Sequence, residues 1–260
     1  MDGMNVFDRR AVRLHRDRAA RTVSLVADLL RDGAMRLLGR LDDMTGTFER
    51  ALDVGGRGIV APLLQARGID TVSIDLSEPM SRLNSLPVVA DEEFLPFGPG
   101  SFDLIVGSLS LHWINDLPGA LVQFRRALRP DGLFLASMPA LGSLSELRTA
   151  LTEAEIALVG GASPRVSPFP ELRDCAGLLQ RAGFAAPVAD LEEVVVRYAG
   201  PLQILRDLRA AGETNAISAR SRRPAPVGLF PAALAGMPRE DERTRVTMRL
   251  AVMTGFAAGR

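Results

Sequence analysis

Three carboxylates stand at the ends of short apolar runs in the first half of the chain: Asp53 within Leu52-Asp53-Val54, Asp75 after Val72-Ser73-Ile74, and Asp91 after Val88-Val89-Ala90. The first is followed at once by Gly55-Gly56-Arg57-Gly58 and then by a helical pattern from Ile59 to Ala66. A strand that ends in glycine and opens into a helix lets a ligand approach bare backbone at the carboxyl edge of a sheet. An acid at the end of the second strand, Asp75, is placed to accept both hydroxyls of a ribose; its competing reading is a helix cap or a solvated turn acid. The stretch Gly56-Arg57-Gly58-Ile59-Val60-Ala61 also matches the dinucleotide fingerprint G-x-G-x-x-G/A, which favours a nicotinamide cofactor. Asp53 argues against it, because an acid just before the glycines repels a pyrophosphate and attracts an amino-acid ammonium. A ligand with a ribose and a cationic amino acid is S-adenosylmethionine. Asp91 can accept from an adenine amino group beside the apolar wall of Phe94 and Leu95, or it caps a helix. Leu76, Glu92 and Ser108 complete the candidate cofactor-binding set of Asp53, Gly55, Gly56, Gly58, Asp75 and Asp91.

The loop after the fourth apolar run, Ser108 to Pro118, brings His112, Trp113 and Asn115 to the same edge. A histidine there suits proton transfer at neutral pH, so His112 is the candidate catalytic residue, with Trp113 and Asn115 lining an acceptor site. The bland alternative is that His112 and Trp113 pack the helix that follows. Arg148 either binds a carboxylate or phosphate of the acceptor or pairs with a nearby acid on its own helix face. Cys175, among Ala176, Leu178 and Leu179, reads as core.

The elements that must hold these residues follow from the pattern. Strands are expected at 50–54, 71–75, 87–90, 102–107 and 133–138, alternating with helices at 59–66, after Ser77, and at 117–128; this is a parallel sheet built of βαβ units. Leu25, Leu29, Leu30, Leu37, Leu38 and Leu41 recur at helical spacing and predict one helix over 23–41, preceded by a charged helical arm at 7–21. Beyond residue 138, helices are expected at 146–159, 171–182 and 202–211, a pair of strands between 183 and 198, a Pro- and Arg-rich loop at 220–228 and a last strand at 245–256. The whole is expected as one domain, with a helical arm at 1–44, a cofactor-binding half at 45–140, and cap helices with C-terminal strands at 141–260.

Composition narrows the chemistry further. Of the 260 residues 47% are hydrophobic and 31 basic residues balance 31 acidic ones, which gives no electrostatic footprint for general nucleic-acid binding. Every basic residue is Arg, so no lysine nucleophile or Schiff base is available. One cysteine excludes a disulfide framework or a thiolate metal cluster, and the two histidines, His15 and His112, sit in no metal-ligand motif; no metal site is expected. The absence of a long apolar run or an apolar leader core points to a cytoplasmic protein without a membrane span.

With Leu52-Asp53-Val54-Gly55, Ser73-Ile74-Asp75, Ala90 to Phe97, Ser101 to Ile105 and Leu128-Arg129-Pro130-Asp131-Gly132, the chain resembles the class I S-adenosylmethionine-dependent methyltransferases. Met4 to Arg9, Ala90 to Phe97, Ser108 to Pro118, Glu146-Leu147-Arg148 and Ser167-Pro168-Phe169 are most similar to the complex I assembly-factor family of arginine hydroxylases, and the malonyl-carrier-protein methyltransferases of biotin synthesis look similar too. The resemblance implies a Rossmann-like α/β fold with a seven-stranded, mostly parallel sheet, helices on both faces, and S-adenosylmethionine as cofactor. It leaves three functions: methyl transfer, taken as the leading one, arginine hydroxylation on a respiratory NADH dehydrogenase subunit, or an assembly chaperone that has kept the fold without the chemistry. The family turn, D-x-G-x-G-x-G, is one residue short here. Either it is re-formed with Gly55 and Gly56 adjacent, or cofactor affinity is damaged.

Overall fold

The computed structural model describes residues 5–259, so Met4 of the N-terminal resemblance lies outside the described residues. Its strands are β1 (Arg50–Val54), β2 (Asp70–Asp75), β3 (Pro87–Val89), β4 (Phe102–Ser108), β5 (Leu128–Pro139), β6 (Phe184–Tyr198), β7 (Arg239–Glu240) and β8 (Arg243–Ala257). Seven of them run side by side in the order β3-β2-β1-β4-β5-β8-β6, and the two-residue β7 pairs with β8. The first five are mutually parallel, whereas β8 is antiparallel to both β5 and β6. The Rossmann-like expectation of a seven-stranded, mostly parallel sheet is met, with β7 as a small addition.

Helices are α1 (Arg9–Ala19), α2 (Ala27–Gly39), α3 (Val60–Gln65), α4 (Glu78–Ser81), α5 (Leu117–Ala127), α6 (Ser145–Val159), α7 (Leu172–Arg181), α8 (Leu202–Ala210) and α9 (Leu229–Ala235). Alternation along the strands buries both faces of the sheet. In β4, Leu104 and Val106 pack with Leu37, Leu38 and Leu64 of α2 and α3, while Ile105 packs on the opposite face with Leu121, Phe124 and Leu179 of α5 and α7. A separate apolar cluster joins α6, α8 and α9 to Val246 of β8 and forms the cap. No helix among the described residues is long and apolar enough to cross a membrane.

Two expectations from periodicity differ. The predicted helix over 23–41 is a 3₁₀ turn at Val23–Val26 followed by α2, and Leu25 stays 79% exposed. Val23 and Val26 are buried beside Met80 and Ala210, and this packing against α4 and α8 sets a face that differs from the leucine stripe. The predicted strand pair between 183 and 198 is one long strand. Its register shifts between Ala185 and Val188, around Ala186 at φ +44° and Pro187, and a bulge there lets the strand bend without ending. Sequence periodicity also missed β7, whose hairpin to β8 turns on Asp241 and Glu242 with φ of +48° and +63°, the handedness that tight hairpins require.

In the order 3-2-1-4-5 the chain leaves β1 toward β2 and later crosses back to β4. The crevice between the carboxyl ends of β1 and β4 is therefore where a ligand binds in such a sheet.

Candidate functional site

The glycine turn leaves β1 at this crevice. It is re-formed with Gly55 and Gly56 adjacent, and Gly55, Arg57 and Gly58 all take positive φ. Gly56 is fixed by contact, since a Cβ there would fall onto the carboxylate of Asp53. Asp53 is wholly buried; Ser73 Oγ donates to its Oδ2 at 3.2 Å, and its Oδ1 has no hydrogen-bond partner. Burial, with Asp75 nearby, pushes this carboxyl up to about 7 against the bond from Ser73. The Arg57 side chain of this turn is buried. Its Nη2 donates to the Leu109 carbonyl at 2.9 Å and pairs with Glu213.

Asp75 closes β2, and its Oδ1 accepts from the Ser77 amide at 2.8 Å. Its Oδ2 accepts from Nη1 of Arg16, a residue of α1 that is 1% exposed and lies 3.6 Å from Glu92. Burial raises the Asp75 carboxyl, with Arg16 opposing and Glu92 reinforcing the shift. One helical face earlier, Arg9 donates to Asp91 at 2.5 Å and pairs with Glu92. The arm helix thus lays two guanidiniums, seven residues apart on one face, over Asp75 and Asp91, the acids read from the sequence as ribose and adenine partners, and over Glu92 beside them. Leu76 packs with Phe7 and Trp113 under the start of the arm, and Ser108 is buried at the end of β4.

On the loop after β4, His112 and Trp113 share one 3₁₀ turn, Leu111–Trp113. Trp113 Nε1 donates to Glu213 Oε2 at 2.7 Å, and His112 Nε2 lies 2.7 Å from the same oxygen. Burial would raise the Glu213 carboxyl, but His112, Arg57 and Arg16 outweigh it and hold it far below the ordinary range. An ionised carboxylate only accepts, so Nε2 of His112 donates to it, while Nδ1 is buried and has no hydrogen-bond partner. Asn115 is used otherwise: its side chain accepts from the Phe7 amide at 2.8 Å and donates to the Phe7 carbonyl at 3.1 Å, tying the arm to the loop. Arg148 likewise donates to the carbonyls of Val166 and Ser167, at 3.1 and 2.6 Å. The 220–228 loop is anchored where it begins, by Arg220 on Asp8 at 2.8 Å.

His112 and Trp113 face a cavity of about 630 Å³ between the sheet and the cap, walled by Leu147 and Leu151 of α6 and Leu205 and Leu208 of α8. That volume lies within the roughly 300–1,000 Å³ of small-molecule sites. Sequence reasoning brought Asp53, Asp75, Asp91, Glu92 and His112 to one sheet edge. It missed Arg9, Arg16, Arg57 and Glu213. The i, i+7 arginines of the arm were a readable signal, whereas nothing around Glu213 marks it, since only the fold of the cap brings that loop to His112.

A doubly wound sheet with a glycine turn and acids at its crevice is a Rossmann-like α/β architecture, and the chain belongs to the methyltransferase-domain family, whose model matches residues 16–186. It is similar to the arginine-hydroxylase NDUFAF5, mitochondrial, of Danio rerio, with 43% identity over 223 residues, covering 82% of this chain and 70% of that protein. Of the Mus musculus protein of the same name the chain spans 65%. It is also 37% identical over 235 residues to the malonyl-(acyl-carrier protein) O-methyltransferase of Laribacter hongkongensis, covering 83% of this chain and 77% of that one. Among solved structures, the YcgJ protein of Bacillus subtilis shares the fold with a TM-score of 0.59 at 15% identity, covering 86% of this chain and 99% of that one.

Proposed function

We propose that the protein transfers a methyl group from S-adenosylmethionine to an acceptor held in the cavity against His112 and Trp113. The observation that carries this reading is the buried Asp53 carboxylate with an unpartnered oxygen at the glycine turn, a place that suits an ammonium and not a pyrophosphate. When bound, the cofactor supplies an electrophilic methyl on a sulfonium. Asp53 would accept from its ammonium, Asp75 from its ribose and Asp91 with Glu92 from its adenine end; Arg16 and Arg9 hold the last three of these acids and would have to yield them. His112, oriented by Glu213, takes the acceptor's proton as the acceptor's lone pair attacks, and the cavity walls set the line of approach.

Titration calorimetry tests the cofactor assignment. S-adenosylmethionine should bind more tightly than NAD, and Asp75→Asn should weaken that binding by about 1.5–3 kcal/mol, the worth of hydrogen bonds to a charged group. Tighter binding of NAD overturns the assignment. Because positioning does most of the work in methyl transfer, His112→Ala should lower turnover only about 10²-fold, the low end for general-base groups. Unchanged turnover at saturating substrate removes His112 from the proton transfer.

A second reading rests on the 43% identity to the arginine hydroxylase. On it the acceptor is an arginine of a respiratory NADH dehydrogenase subunit, the partner that the family resemblance implies. Mass spectrometry of that subunit from cells with and without the gene separates the two: an oxygen-sized increment lost on deletion replaces methyl transfer with hydroxylation, and no increment despite tight binding makes the protein a chaperone. The single cysteine, Cys175, is free and buried, which fits any reducing compartment, the cytoplasm among them.

A further inference from the structure

The cavity beneath the cap has a charge pattern that restricts what it can hold. Among the described residues Glu213 is the only acid in its lining, and that carboxylate already accepts from Trp113, His112 and Arg57. Four arginines line the same space. Arg57 is paired with Glu213, and Arg165 is paired with Glu155 at 2.6 Å. Arg206 and Arg209, one helical turn apart on α8, pair with no carboxylate among the described residues, and both are exposed toward the mouth. Beside them, Leu202 is 47% exposed and Phe230 42%, so the entrance presents apolar side chains next to two free guanidiniums. The interior walls are mainly apolar, built of leucines of α6 and α8 with Trp113 and Phe169.

A guanidinium entering this space meets like charge and finds no free carboxylate, so the loss of its hydration is poorly offset. An anion meets two planar forks whose geometry matches carboxylate or phosphate oxygens. From this we propose that the cavity takes an amphiphile with an aliphatic body inside, an anionic head at Arg206 and Arg209, and its methyl-accepting end at the floor beside His112. The role of that inner end rests on the methyl-transfer reading; the ligand class rests on the cavity alone.

Trp113 is the sole tryptophan and lines the cavity, so its emission reports occupancy without any turnover. The full chain is titrated, below the concentrations at which the probes form micelles, with dodecanoate, dodecyl phosphate, dodecylguanidinium and butanoate. Dodecanoate or dodecyl phosphate should saturate, dodecylguanidinium should bind about tenfold more weakly or worse, and butanoate should give no saturable change. Which of the two anions binds more tightly identifies the head. The exposed double substitution Arg206→Glu with Arg209→Glu should reverse the order of anion and cation. Dodecylguanidinium binding as tightly as both anions, butanoate matching dodecanoate, or an unchanged order in the double variant each overturns the proposal. Cofactor binding is measured separately by calorimetry: dodecanoate saturating where S-adenosylmethionine does not bind sinks the methyl-transfer reading and leaves this one, and the converse sinks this one alone.

Discussion

Arg16→Ala should cost about 3–5 kcal/mol of folding stability, the usual effect of removing one partner from a buried ion pair. Arg16 is 1% exposed, and its Nη1 faces two acids, Asp75 at 2.8 Å and Glu92 at 3.6 Å. Without it those carboxylates face each other in a low-dielectric pocket, and burial already raises Asp75. Denaturant unfolding followed by Trp113 emission measures the loss. The same variant tests whether the arm and the cofactor compete. If the ribose must take Asp75 from Arg16, saturating S-adenosylmethionine should raise the melting temperature of the variant more than that of the parent, because the ligand then supplies the partner the acids have lost. A loss below about 1 kcal/mol would mean that the arm leaves the acids readily, and that Arg16 is a guest at the site and no part of its foundation.

How far the sequence carried the argument depends on the range of the interactions. Most strands and helices from Arg50 to Pro139 were legible because each is set by its own period and by local punctuation, glycine after β1 and Ser77 capping α4, although β5 starts at Leu128 and takes in Pro130 to Gly132, ahead of the expected 133. The three acids were legible as a group because parallel βαβ order alone places the ends of β1, β2 and β3 side by side. Their occupants were not. Arg16 reaches Asp75 across 59 residues and Glu213 reaches His112 across 101, and no local pattern encodes such pairings. The roles read for Asn115 and Arg148 came from their position in the chain. Both side chains satisfy backbone groups of loops, the Phe7 amide and carbonyl for one and the Val166 and Ser167 carbonyls for the other, a demand that only the folded cap and arm create.

The other large effect belongs to Asp53, and its sign depends on pH. Folding raises this carboxyl from its ordinary value to about 7, chiefly by burial. A group whose folded pKa lies above its unfolded one adds stability that is fully present below the unfolded value and is lost as pH rises through the folded one. Asp53→Asn removes that dependence while keeping the shape and an acceptor for Ser73. The variant and the parent should therefore be nearly equal in stability near pH 4. The gap should open as pH rises and level off above about pH 7, where the variant is more stable by about 4 kcal/mol at one pKa unit per 1.36 kcal/mol. Cofactor binding should move the opposite way, because an ammonium is held by the ionised form: affinity of the parent for S-adenosylmethionine rises as pH approaches 7, with a proton released at lower pH, and the variant binds weakly at every pH. Parallel urea series at stepped pH, with calorimetry in two buffers of different ionisation enthalpy, read both effects on the same protein. A constant stability gap from pH 4 to 8 would show that Asp53 is ionised throughout and already solvated or paired. A variant that binds the cofactor as well as the parent would take the ammonium away from Asp53 and leave the short glycine turn without its reason for an acid.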